Sequence, residues 1–136
     1  MRNRRFFQTF FLATAISIIL GVAVVAAEEV YEFGAVAKFQ QYFETIDRTK
    51  TTESIQRFGV SNVFTSITNP CNDCMIGAKL KSGQNVDSGI TVKNGETSDF
   101  WHNWTILPGT YKLLWTRMDF SPLSANFRGH WYYNLP

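Results

Sequence analysis

Two turn signals, Asn94-Gly95 and Pro108-Gly109, divide the stretch 89–117 into three runs rich in β-branched and aromatic residues. An Asn-Gly pair supplies positive φ at low steric cost, which favours a tight hairpin. The pattern therefore predicts an antiparallel β-meander with strands at 90–93, 97–107 and 110–118. On the third run, Tyr111, Leu113, Trp115 and Arg117 share one face, and Lys112, Leu114, Thr116 and Met118 the other. Three of the four tryptophans lie in this stretch, so scaffold and binding-type side chains coincide.

The same punctuation runs through the rest of the chain. A first strand is expected at 29–33, ending at Gly34. Segment 35–47 fits two templates: Phe39, Tyr42, Phe43 and Ile46 have helical spacing, while Phe39, Gln41, Phe43 and Thr45 would line one face of a strand. Three aromatics and a Thr-rich continuation favour the strand. Residues 48–52 read as a loop or the exposed start of an edge strand, followed by extended runs at 53–58 and 60–68. Asn69-Pro70 should close the latter, because the residue before proline is pushed out of the helical region.

In 74–81, Cys74, Ile76, Ala78 and Leu80 alternate with Met75, Gly77, Lys79 and Lys81, a half-buried strand. A last strand is expected at 125–133, with Phe127, Gly129, Trp131 and Tyr133 opposite Asn126, Arg128, His130 and Tyr132. Turn signals recur about every 8–12 residues, which fits about seven to nine short strands in an all-β antiparallel β-sandwich or a small barrel. Pro108-Gly109-Thr110-Tyr111, followed by alternating apolar residues, resembles the penultimate hairpin of immunoglobulin-like and jelly-roll-like extracellular modules. That favours the sandwich.

The N-terminus determines compartment. Arg2, Arg4 and Arg5 precede an apolar run through Phe6, Phe10, Ile16 and Leu20, and small residues lie before Glu28. This is the layout of a signal peptide, 1–27, cleaved after Ala27 to leave a single β-sandwich domain, 28–136. The alternative is an uncleaved signal anchor, since the uncharged run 10–27 is near the lower limit of the roughly 17–25 residues that span a bilayer. Both place the domain outside the cytoplasm. After cleavage no membrane association is expected.

The whole chain carries a net charge of +2, but three of its 13 basic residues leave with the signal and all 11 acidic ones remain, for a mature charge of about −1. Lys and Arg are scattered, which argues against nucleic acid as a partner. Cys71 and Cys74 form an even pair in an oxidising compartment, so a disulfide is expected. Its short ring should stabilise by less than the usual 2–4 kcal/mol. The C-x-x-C spacing also occurs in redox and zinc sites. A redox site needs the first Cys at a helix N-terminus, where a strand is expected here. Zinc needs two more ligands, and His102 and His130 are neither near nor paired, so no metal and no cofactor is expected.

Candidate binding residues are Trp101, His102, Trp104, Arg128, Trp131 and Tyr132. Flat indoles stack on sugar rings and apolar ligands, and neighbouring Asn103, His102, Asp99 and Arg128 can bond hydroxyls. Some of these aromatics must instead fill the core. Alternation opposes Trp101 to Phe100 and Trp104, and Tyr132 to Trp131 and Tyr133, so one member of each neighbouring pair should meet solvent. No catalytic set is expected: there is no G-x-S-x-G or H-E-x-x-H, and the carboxylates are scattered. Asn103-Trp104-Thr105 matches a glycosylation acceptor but lies mid-strand in this reading.

The ending Trp131-Tyr132-Tyr133-Asn134, with Val60-Ser61-Asn62, resembles the lactococcin-type bacteriocins, small signal-bearing β-sandwich proteins of Gram-positive bacteria that act at the cell-wall precursor. The chain lacks that family's His-rich segment and adds two cysteines. The expectation is a secreted, non-catalytic protein that binds a glycan, a cell-envelope component or a protein through exposed aromatics. The resemblance supplies an alternative, a secreted bacteriocin-like or toxin-like antimicrobial protein.

Overall fold

The computed structural model describes residues 28–66 and 69–136. The expected signal peptide 1–27 lies outside them, as do Ile67 and Thr68 at the end of the run 60–68. Eleven strands follow in chain order: β1 (Glu29–Ala37), β2 (Phe43–Glu44), β3 (Arg48–Lys50), β4 (Arg57–Ser66), β5 (Asn69–Pro70), β6 (Ile76–Ser82), β7 (Asn85–Val86), β8 (Ile90–Val92), β9 (Thr97–Asp99), β10 (Gly109–Arg117) and β11 (Ala125–Asn134). A 3-10 helix (Asn103–Ile106) precedes β10. The first sheet has the order β1-β11-β4-β5, with β9 also on β4; the second has β2-β10-β6-β7, with β3 on β10 and β8 on β6. The ladders are antiparallel, and the two sheets pack face to face as a β-sandwich. The strands outnumber the expected seven to nine because several are fragments of two or three residues.

Alternation places the core where the sequence puts it. Cys74, Ile76, Ala78 and Leu80 are buried, as are Tyr111, Leu113, Trp115 and Arg117 opposite them. From the first sheet, Phe58, Val60, Val63, Ala125, Phe127 and Trp131 meet them. Phe33 sits at the centre of an aromatic cluster, 5.0 Å from Trp115 and 6.4 Å from Phe58 between ring centroids. A fully buried aromatic such as Phe58 contributes about 2–3 kcal/mol of transfer free energy, and favourable ring pairs with half-buried Phe33 add to it. Gly129 makes room for this cluster: a Cβ there would fall 2.6 Å from Phe33 Cζ.

The meander is not what the stretch 89–117 forms. β8 belongs to the second sheet, β9 to the first and β10 to the second. The turn is present, with Glu96 N–H donating to Lys93 O at 3.0 Å, but among the described residues only Gly95 of the Asn-Gly pair has positive φ, at 80°. A type I′ hairpin turn needs both central residues there and a type II′ turn needs the first, whereas type I and II turns splay their strands. The turn is instead hooked onto β4, where Gly95 N–H donates to Val60 O at 2.8 Å and Val60 N–H to Glu96 O at 3.1 Å.

The expected strand 97–107 also stops at Asp99. Thr105 captures the His102 carbonyl with both its hydroxyl, at 2.7 Å, and its N–H, at 2.9 Å. That local pair competes with a sheet ladder and winds 103–106 into the 3-10 turn.

Segment 35–47 takes the strand reading in pieces: β1 continues to Ala37, the chain reverses at Gln40 with φ 56°, and β2 follows. Residues 48–50 form an edge strand. The run 53–58 and the described part of 60–68 resolve into one strand, Arg57–Ser66, with a bulge where Asn62 has φ 52°. Because of the bulge, Val60 and Val63 both point inward, at 2% and 0% exposure. Pro70 does not simply end the strand; Asn69 and Pro70 fold back as an edge pair on β4, where proline is tolerated. Cys71 and Cys74 are disulfide-bonded at a sequence separation of 3, a ring small enough to limit its entropic stabilisation to about 2 kcal/mol.

Candidate functional site

The loop between β9 and β10 is built from the inside outward. Gln56, fully buried, accepts the Trp131 indole N–H at Oε1, 3.1 Å, and donates from Nε2 to Thr105 O at 2.7 Å. Its carbonyl accepts Phe100 N–H at 2.9 Å, and the Phe100 ring is 1% exposed. The Tyr111 hydroxyl shares its hydrogen between the carbonyls of Trp104, 2.8 Å, and Leu107, 2.7 Å. Burial pushes the Tyr111 phenol up from its ordinary pKa, which keeps it a donor. The backbone of the loop is thus pinned at Phe100, Trp104, Thr105 and Leu107.

What this frame presents is Trp101, 75% exposed, beside exposed His102 and Asn103 and half-buried Trp104. His102 stacks on Trp104, and Trp104 lies nearly parallel to Tyr111 with centroids 6.1 Å apart. His102 Nε2 receives the Ser88 N–H at 3.4 Å and lies 3.0 Å from the Ser88 hydroxyl. An N–H donor aimed at Nε2 makes it the acceptor and leaves the ring hydrogen on Nδ1. Asp87, next in the chain, is 5% exposed, and its Oδ1 accepts Leu80 N–H at 2.8 Å. Burial raises its pKa, offset in part by that hydrogen bond and by the positive charge of Lys79.

The sequence candidates separate into three groups. Trp101, His102 and Trp104 share the loop. Trp131 is 0% exposed and belongs to the core, tied to Gln56, so it offers no surface to a ligand. Arg128 and Tyr132 lie on the outer face of the first sheet. Tyr132 is in register with Arg57, whose Nε donates to Asp99 Oδ1 at 2.9 Å, two residues before Trp101. Arg128 is in register with Ser61, further along the strand. Phe100 and Trp101 divide between core and solvent as alternation requires, and so do buried Trp131 and half-buried Tyr132.

Two arrangements were not foreseen. On the outer face of the first sheet, Ser61 Oγ lies 3.0 Å from His130 Nε2, and His130 Nδ1 lies 3.4 Å from Glu32 Oε1. The atom order is that of a hydrolytic triad, but the Glu32 side chain is 64% exposed. A carboxylate so solvated orients an imidazole weakly, and the row reads as a cross-strand polar ladder.

The second arrangement is an apolar groove of about 290 Å³ lined by Phe39, Gln40, Tyr42, Thr116, Met118 and Phe120, with Arg117 at its base. Phe120 is 91% exposed, and its ring meets that of Phe39 at a tilt, with centroids 5.6 Å apart. The groove depends on the reversal at Gln40, which carries no turn signal in the sequence. An aromatic isolated between Asp119 and Ser121-Pro122 was the only hint of it.

The fold and the loop define a small disulfide-bonded antiparallel β-sandwich that displays one pinned aromatic loop. Comparison with known protein families, curated proteins and solved structures gave no match to this chain. Among the described residues no helix is long and apolar enough to cross a membrane.

Proposed function

We propose that this chain is a secreted, non-catalytic β-sandwich protein that binds a glycan of the cell envelope through the loop 101–104. The observation that carries this reading is Trp101, an indole 75% exposed on a backbone fixed by buried hydrogen bonds. Leaving an indole in water forgoes about 1.5–3 kcal/mol of burial. A rigid loop avoids the ordering cost that a mobile one would add on binding. The indole face suits the apolar face of a sugar ring, while its chain neighbours His102 and Asn103, and Asp99 paired with Arg57 two residues earlier, supply groups able to bond hydroxyls. Export is supported by the Cys71–Cys74 disulfide together with the character of residues 1–27.

Binding of the purified 28–136 protein to peptidoglycan fragments and a glycan array tests the reading. Trp101→Ala should weaken binding by about 10- to 100-fold, the range of an aromatic hot spot, with its thermal stability unchanged. Equal binding by Trp101→Ala and the parent would overturn it. Hydrolysis of chromogenic esters or glycosides that His102→Ala or His130→Ala abolishes would replace it with an enzyme. Growth inhibition of Gram-positive bacteria by the purified protein would favour the bacteriocin-like alternative. Mass spectrometry of the exported protein checks the cut after Ala27.

A further inference from the structure

The two sulfurs of the Cys71–Cys74 disulfide are not equivalent. Cys74 is fully buried at the head of the inward row that continues into β6, whereas Cys71 is half-buried. Arg117, 2% exposed, aims its guanidinium at the buried member: Nη2 lies 3.2 Å from Cys74 Sγ. The rest of the fork is fixed, with Nε donating to Asp119 Oδ1 at 2.7 Å, Nη2 to Asp119 Oδ2 at 2.8 Å, and Nη1 to the Leu123 carbonyl. A neutral disulfide sulfur accepts hydrogen bonds weakly and a thiolate accepts them strongly. The donor is therefore worth most when the S–S bond opens and the charge stays on Cys74. Burial and the Asp119 carboxylate oppose a thiolate at this place, and the Arg117 hydrogen bond and charge counter them.

The turn itself is held independently of the bond. Cys71 N–H donates to Val63 O at 2.8 Å, Asn94 Nδ2 to Asn72 Oδ1 at 3.1 Å, and Met75 N–H to Asp119 Oδ1 at 3.4 Å. Opening the disulfide would leave Cys74 beside Arg117.

We propose that Cys71–Cys74 is an exchange-competent disulfide, with Cys71 the sulfur attacked and Cys74 the leaving group stabilised by Arg117. The thiolate of a low-molecular-weight thiol or of a protein cysteine forms a new S–S bond to Cys71 Sγ. The Cys71–Cys74 bond breaks, and its electron pair remains on Cys74 Sγ. The attacking sulfur is oxidised as Cys74 is reduced, and return attack by Cys74 on the mixed disulfide re-forms the original bond. This site is distinct from the aromatic loop and does not depend on its ligand.

Folded protein treated with dithiothreitol should be reduced faster than it unfolds globally. Ultraviolet thiolate absorbance of the reduced protein should show one thiol titrating below the ordinary value of about 8.5. With oxidised glutathione, Cys74→Ser should form a mixed disulfide at Cys71 at least about tenfold faster than Cys71→Ser does at Cys74, since access governs which sulfur reacts. Arg117→Met should return the low titration to the ordinary value or above and slow reduction at least about threefold. If that variant does not fold, the measurements on the parent and the two single-cysteine variants decide. Reduction only at the global unfolding rate, both thiols titrating at or above the ordinary value, or greater reactivity at Cys74 would each overturn the proposal.

Discussion

Lys50 is 1% exposed, an unusual position for an ammonium group, and its Nζ donates to Ser54 Oγ at 2.7 Å. Burial lowers its pKa from 10.5. Between the lowered value and 10.5 the unfolded chain binds more protons than the folded one, so stability rises with pH across that window. Below the lowered value both states are charged and the desolvation penalty is present in full. Lys50→Met should therefore be neutral or stabilising by up to about 2 kcal/mol at pH 7, as when a buried charge gives way to an apolar side chain of similar length. Ser54 keeps the Thr52 hydroxyl as a partner at 2.8 Å. Denaturant unfolding at pH 7 and near pH 10 checks this, and the difference from the parent should narrow at the higher pH. The sequence marked Lys50 only as part of a polar segment. Its burial follows from the pairing of β3 with β10, a long-range event that local polarity does not report.

The loop between β9 and β10 shows at the level of an element why periodicity misled. Residues 97–107 carry β-branched and aromatic side chains, as a strand would. The outcome was decided by one hydroxyl, Thr105 Oγ1, on the His102 carbonyl, and by the buried Gln56 amide that holds Thr105 O. Thr105→Val keeps the volume and removes that hydroxyl in a fully buried place. It should lower stability by about 1–2 kcal/mol, the range for removing one member of a buried hydrogen bond. It should also weaken ligand binding at Trp101, without touching the ligand, because the loop loses its preorganisation. Calorimetric melting with a parallel binding titration checks both effects, and unchanged melting with unchanged affinity would show that the hydroxyl does not shape the loop. Trp101, His102 and Trp104 were legible as candidates from residue type alone. Gln56, which organises them, was not, because a glutamine in a polar stretch gives no sign of being enclosed.

Among the described residues the first and last strands close the fold. β1 and β11 pair from Glu29↔Asn134 to Ala37↔Ala125, and Asn134 locks that closure. Its Oδ1 accepts from Thr51 N–H, Thr52 N–H and the Thr52 hydroxyl, at 3.1, 2.9 and 2.6 Å, while Nδ2 donates to Glu29 Oε2 at 3.0 Å and Thr51 Oγ1 at 2.8 Å. Asn134→Ala should lower global stability by about 2–4 kcal/mol, since two backbone donors lose their acceptor in a partly buried place. Urea unfolding followed by Trp fluorescence should show a lower midpoint with an unchanged slope, the sign that stability rather than compactness has changed. A shift worth less than about 1 kcal/mol would mean that water replaces the amide.

At this scale the sequence by itself determined the class of fold, the faces of β6, β10 and β11, and the disulfide, because alternation and turn chemistry are local and each strand reports its own buried side. Only the tertiary structure decided which sheet received each strand, sending β8, β9 and β10 alternately to opposite layers. It alone put Trp131 in the core while leaving Trp101 in water, and it alone brought Arg117 to Cys74. Those outcomes depend on pairings between residues far apart in the chain, and a single sequence records which side chains are apolar without recording which of them will meet.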